Sequence, residues 1–254
     1  MLRRMLCIYK FNFLVVLILK KIFITGASSE IGLELIELLI NKDFVIYAQY
    51  NSRSNCLLTK FEKYSNIVFI KCDFSNDEDL KIVYESLNKD IDIFINISGK
   101  ELEGLFTDFD DAVYEELTKV NLLTPLAILK KFIPNMVNNK FGKIVFITSI
   151  WGEIGAANEV MYSTLKGAQN TFVKALSKEL APSNINVNAV SPGAVDTKML
   201  NSLEPTDIEI LKSDIPLSRL AEPKEIATLV EFLISDKSNY ITGQVIGING
   251  GWKI

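Results

Sequence analysis

Histidine is absent from all 254 residues. Its absence excludes Ser-His-Asp hydrolases and Cys-His proteases, which need an imidazole base, and most zinc enzymes, which need an imidazole ligand. Cysteine is nearly as scarce. Cys7, Cys56 and Cys72 stand far apart with no paired spacing, so neither a disulfide framework nor a metal site is expected. No long basic run occurs and the net charge is −4, which argues against nucleic acid as a partner. Long hydrophobic runs are missing too. The apolar stretch Phe13–Leu19, behind Arg3 and Arg4, is much shorter than the roughly 20 residues of a bilayer span. Lys20-Lys21-Ile22 follows it where a signal peptide would carry small residues. Residues 1–20 therefore read as an extension: an upstream start or a loosely docked arm, ahead of a membrane anchor. Residues 21–254 read as one cytoplasmic domain.

Hydrophobic residues make up 48% of the chain and charged residues 23%, enough apolar surface for a sizeable core. Short β-branched runs predict strands at Ile22–Thr25, Phe44–Ala48, Ile67–Lys71, Ile91–Asn96, Lys143–Thr148, Asn186–Val190 and Gln244–Ile248. Their nearly continuous apolar character suits strands covered on both faces. Helical patterns fall between them at Ile31–Asn41, Asn55–Tyr64, Asp77–Asn88, Ala112–Asn138, Met161–Ala181 and Pro223–Ser235. This alternation predicts right-handed βαβ units and a single α/β domain, a doubly wound Rossmann-type sheet of about seven parallel strands.

Two motifs carry chemistry. The first is Thr25-Gly26-Ala27-Ser28-Ser29-Glu30-Ile31-Gly32, directly after the first strand. Glycine at 26 allows a tight turn and glycine at 32 close helix–sheet packing, while the helix start offers free N–H groups to a pyrophosphate. Two glycines before a helix are also common in plain turns. The second is Ser149 at a strand end, then Tyr162 and Lys166 four apart at a helix start. That spacing puts both on one helix face. A phenol titrates near 10, and an adjacent ammonium is expected to pull it toward neutral pH so that it can serve as an acid. Ser149 would orient the same substrate oxygen.

Together these motifs resemble the short-chain dehydrogenase/reductase family, most nearly its 3-oxoacyl-[acyl-carrier-protein] reductase branch, from about Lys21 to Trp252. The resemblance implies NAD(P)-dependent reduction of a ketone, with Asn121, Ser149, Tyr162 and Lys166 as the catalytic set. In the family that asparagine bends its helix and holds a relay water, and asparagine is otherwise unfavourable inside a helix. The resemblance also implies cofactor contacts from Gly26, Ser28, Ser29, Ile31, Gly32, Asp73, Phe74, Asn96, Gly99, Tyr162, Lys166, Pro192, Gly193, Val195 and Thr197. Asn96 fits a sheet-bracing role better than a chemical one. Glu30 departs from the family's glycine, placing a carboxylate near phosphates and a side chain where the backbone has to suit it. Where NAD-specific domains place an acid for the ribose, this chain has Tyr50, then Asn51, Ser52 and Arg53. Asn51 and Arg53 thus favour NADP(H) over NAD(H).

The expected substrate is a small-molecule or acyl-carrier-linked ketone, first a 3-oxoacyl thioester as in fatty acid biosynthesis. A sugar, steroid or other small alcohol is the alternative within enzymes, and a silent nucleotide sensor the alternative outside them. Lys140 and Lys143 are read as a weak docking site for an acidic carrier, although Pro182-Ser183-Asn184 replaces a second basic site. A homo-oligomer, tetramer or dimer, is implied as well.

Overall fold

The computed structural model describes residues 19–52, 54–86, 90–198, 200 and 204–253. Arg53 and nearly all of the amino-terminal extension lie outside these residues. Seven strands form one parallel sheet: β1 (Lys20–Thr25), β2 (Phe44–Tyr50), β3 (Ile67–Lys71), β4 (Ile93–Asn96), β5 (Gly142–Ile147), β6 (Ile185–Pro192) and β7 (Val245–Ile248). Their order is β3-β2-β1-β4-β5-β6-β7. The order reverses between β1 and β4, and a crevice opens beyond the carboxyl ends of those strands.

Alternation along the strands explains why helices cover both faces. Ile22, Ile24, Ile46, Ile93, Ile95 and Val145 point to one side, packed on Leu35, Ile36 and Leu39 of α1 (Glu30–Leu39). Phe23, Phe94, Ile144 and Phe146 point to the other. There they meet Phe132 of the later helix, with Phe23 and Phe132 ring centroids 5.7 Å apart, edge to face. Strand residues with period two and both sides apolar can be buried only this way.

The other helices are α2 (Ser54–Phe61), α3 (Asp77–Ser86), α4 (Asp111–Thr118), α5 (Thr124–Asn139), α6 (Trp151–Ile154), α7 (Val160–Leu180), α8 (Pro205–Asp214) and α9 (Pro223–Ile234). Ala112–Asn138, expected as one helix, is two: a π turn over Lys119–Leu123 separates α4 from α5. The short α6 and α8 escaped the periodicity. Four residues show no period, and α8 buries none of its side chains, so it has no apolar stripe to detect.

Lys143 corrects the docking expectation. Its side chain is inside the protein, 2% exposed, and its Nζ donates to Asn186 Oδ1 at 2.8 Å and Asn239 Oδ1 at 2.7 Å. Burial pulls its pKa below the ordinary lysine value. Lys140 follows α5 in a left-handed conformation, φ 50°, at the amino end of β5, and Ser149 lies past the carboxyl end. Among the described residues no helix is long and apolar enough to cross a membrane. No His/Cys/Asp/Glu group suited to a metal occurs among them either.

Candidate active site

The turn after β1 is shaped by close backbone approach. Gly26 has φ +62°, and a Cβ there would stand 2.7 Å from the Ser98 nitrogen. A Cβ on Gly32 would stand 2.6 Å from the Ala27 carbonyl oxygen. Ser29 caps α1, its Oγ accepting from the Gly32 N–H at 3.1 Å and donating to the Gly26 carbonyl at 2.8 Å. The Ile31 N–H, in the first turn, has no intrahelical partner, and Ile31 lines the crevice. Glu30 opens α1 with a helical backbone, so no strain attends the loss of the family's glycine, and its carboxylate complements the helix dipole.

A residue that the motif reading passed over locks this turn. Gln49 of β2 accepts from the Gly26 N–H at 2.8 Å and donates to the Cys72 carbonyl at 2.7 Å. The available signal was a lone amide in a strand otherwise apolar or aromatic. Past β2, Asn51 faces Asp73. Burial would raise the Asp73 carboxyl, but hydrogen bonds from Ser75 and Asn51 hold it below the usual value.

At the end of β4, Thr25 Oγ1 donates to Asn96 Oδ1 at 2.8 Å and accepts from the N–H groups of Ile97 and Ser98, each at 3.1 Å. Asn96 thereby ties β4 to β1 across the switch point and is fully buried. Asn121 sits in the π turn. Its side-chain amide forms a two-way bond with the Lys100 main chain, at 2.8 Å in each direction, and its carbonyl accepts from Gln169 at 2.6 Å.

Ser149 lies two residues beyond β5, and Tyr162 and Lys166 come from the first turns of α7. The Tyr162 phenol lies beside the Ser149 hydroxyl, which acts to lower its pKa, and Ser149 Oγ accepts from the Trp151 N–H at 3.2 Å. Lys166 Nζ donates to the Ile147 carbonyl at 2.8 Å and lies 5.5 Å from the Tyr162 ring centroid. Burial lowers its pKa to about 8. Tyr162 departs from expectation. Burial first, then the charges of Glu159 and Glu101, push its phenol well above the ordinary value, outweighing the Ser149 hydroxyl. The ammonium does not reverse this, because it is turned to the Ile147 carbonyl. Neither carboxylate was singled out from the sequence, since no motif contains them.

One cavity of about 860 Å³ joins these parts. It runs from Gly26, Ser28, Ser29 and Ile31 past Asn51, Asp73, Phe74 and Gly99 to Ser149, Tyr162 and Lys166, with Pro192, Gly193, Val195 and Thr197 along one wall. Gly32, Asn96 and Asn121 stand behind that surface and shape it. Arg53 is outside the described residues. The cavity suits a dinucleotide: a glycine turn that a Cβ would block, a helix start at one end, and a buried phenol and ammonium at the other.

Relatives agree with this geometry. A family model described as Enoyl-(Acyl carrier protein) reductase matches residues 26–253. The uncharacterized oxidoreductase YmfI of Bacillus subtilis is 42% identical over 238 residues, 92% of this chain and 98% of its own. The 3-oxoacyl-[acyl-carrier-protein] reductase FabG of Buchnera aphidicola is 36% identical, covering 90% of this chain and 95% of its own. The solved structure of ElxO with NADP bound superposes with a TM-score of 0.83 at 26% identity, over 92% of this chain and 99% of that one. Fold, crevice and matches define a nicotinamide-dependent oxidoreductase. The chain belongs to the short-chain dehydrogenase/reductase family.

Proposed function

We propose that this protein reduces a ketone to a secondary alcohol with NADPH, using Ser149, Tyr162, Lys166 and Asn121. The observation that carries the reading is Tyr162, buried beside Ser149 and Lys166 at the far end of a crevice that begins at a glycine turn. NADPH, when bound, supplies the hydride that reaches the carbonyl carbon. Ser149 and Tyr162 hydrogen-bond the carbonyl oxygen, and Tyr162 gives it a proton as negative charge develops there. Burial keeps the phenol protonated, the state in which it can donate, while making it a weaker acid than one tuned near neutrality. Lys166 has one donor on the Ile147 carbonyl and two left for the nicotinamide ribose and for a proton relay. Asn121 holds the Lys100 loop beside Gly99, where an added Cβ would lie 3.1 Å from Asn121 Oδ1 and 3.5 Å from Lys166 Nζ.

NADP(H) is favoured over NAD(H) because no acid ends β2 to receive a ribose 2′-hydroxyl, and Tyr50, followed by Asn51, stands in its place. The NADP in the ElxO structure supports the same choice. The reductase relatives make a 3-oxoacyl thioester the first ketone to test. Delivery by docking on Lys143 is withdrawn, since that side chain is internal. A single reductase domain over residues 21–254, working as a cytoplasmic homo-oligomer, completes the proposal, and exposed Phe232 and Tyr240 support assembly. The test is NADPH oxidation against acetoacetyl thioesters, diketones and sugar ketones. Saturable turnover with a thioester or diketone is expected. NADPH binding with no turnover of any ketone would leave the nucleotide-sensor alternative instead.

A further inference from the structure

The acceptor end of the crevice carries negative charge that hydride and proton transfer do not use. Glu159, immediately before α7, and Glu101, beyond β4, line the cavity together with Tyr162 and Ser149. Among the described residues neither carboxylate forms an ion pair. The neighbouring cations are engaged elsewhere: Lys100 pairs with Glu116 at 2.8 Å, and Lys166 bonds the Ile147 carbonyl. Lys198 also lines the cavity, but past Thr197 on the loop after β6. A half-buried carboxylate without a counter-ion is costly to keep. Glu159 shows the cost, since burial and then Glu101 and Glu103 push it up to about 7, against a smaller lowering by the Trp151 indole.

A second feature is independent of these charges. Trp151 and Trp252 line the same cavity and meet edge to face with centroids 5.0 Å apart. Aromatic surface beside unpaired carboxylates is the chemical complement of an organic cation. Ser149 and Tyr162 fix where the carbonyl lies, so the cation has to be part of the substrate. We propose that the ketone reduced here carries a cationic nitrogen a few bonds from its carbonyl, received by Glu159 and Glu101 against Trp151 and Trp252. This rests on the reading of the cavity as a ketone reductase and adds the charge of what it reduces.

The experiment compares kcat/KM with NADPH for three methyl ketones: acetonyltrimethylammonium, its neutral isostere methyl neopentyl ketone, and acetoacetate. The parent should favour the cation over its isostere by about tenfold or more, a modest share of the charge–charge attraction available at contact distance. Acetoacetate should be the poorest. In Glu159→Gln, and separately in Glu101→Gln, the ratio of cation to isostere should contract toward one. Because that ratio is internal to each protein, a general loss of activity does not distort it. Two independent variants also guard against one that fails to fold. Equal rates for cation and isostere in the parent, or a ratio unmoved in both variants, would overturn the inference and leave the reductase reading standing. Absence of turnover with these ketones and with acetoacetyl thioesters, despite NADPH binding, would overturn both.

Discussion

Replacing Tyr162 by phenylalanine removes one oxygen from the centre of the proposed chemistry. In the parent that oxygen is buried, Tyr162 being 9% exposed, and it lies beside the Ser149 hydroxyl. Loss of the proton donor should lower kcat by about 10²–10⁴-fold, or about 3–5 kcal/mol of barrier. The fold should barely register the change. Ser149 Oγ still accepts from the Trp151 N–H at 3.2 Å, so the loss should not exceed about 1 kcal/mol, the worth of one neutral hydrogen bond. NADPH affinity should stay near the parent's, because Lys166 is anchored on the Ile147 carbonyl and not on the phenol. Single-turnover reduction, NADPH titration by fluorescence and thermal unfolding separate these effects. The parent's pH profile is a further check. Burial raises Tyr162 and lowers Lys166 to about 8, so activity should decline as pH rises past 8 through loss of the ammonium. Turnover of Tyr162→Phe within a few-fold of the parent would refute the mechanism. Parallel loss of NADPH binding would show that the phenol is structural.

Gly32→Ala should damage cofactor binding and stability together, because the new Cβ would lie 2.6 to 2.8 Å from three backbone atoms of Ala27. Overpacking of this kind costs about 1–3 kcal/mol, and unchanged NADPH affinity and unfolding temperature would contradict it. Glu159→Gln should stabilise the protein at pH 8 and not at pH 4. The folded carboxyl titrates near 7 against an ordinary 4.5, so below 4.5 both states are protonated and nothing is lost. Between about 4.5 and 7 the unfolded chain ionises while the folded state keeps its proton, so stability falls across that window and the full cost is present at pH 8. For a half-buried group screened by solvent we expect about 1 kcal/mol, or roughly 2 °C in Tm. Equal Tm differences at both pH values would show that Glu159 carries no such burden.

Local chemistry and pattern made the sheet, the glycine turn and the Ser149–Tyr162–Lys166 group readable along the chain. Strand periodicity is a near-neighbour property, and Tyr162 and Lys166 share a face because four residues make about one helical turn. The doubly wound parallel sheet followed from strand–helix alternation alone. What only tertiary structure decided depends on contacts between distant segments. Lys143 looks like an ordinary surface lysine in a turn, until Asn186 and Asn239, 43 and 96 residues away, close over its nitrogen. The Tyr162 phenol was expected to be drawn down by Lys166. Its burial, the turn of Lys166 toward Ile147, and the charges of Glu159 and Glu101 move it the other way. A pKa reports the whole surroundings of a group, and those surroundings are assembled from β4, β5 and α7 at once. The break at Lys119–Leu123 was implied as a bend at Asn121 by the family resemblance; its partners, Gln169 of α7 and Lys100, came only from the fold. Sequence by itself named the groups proposed to react; packing set their protonation and the charge of the space in front of them.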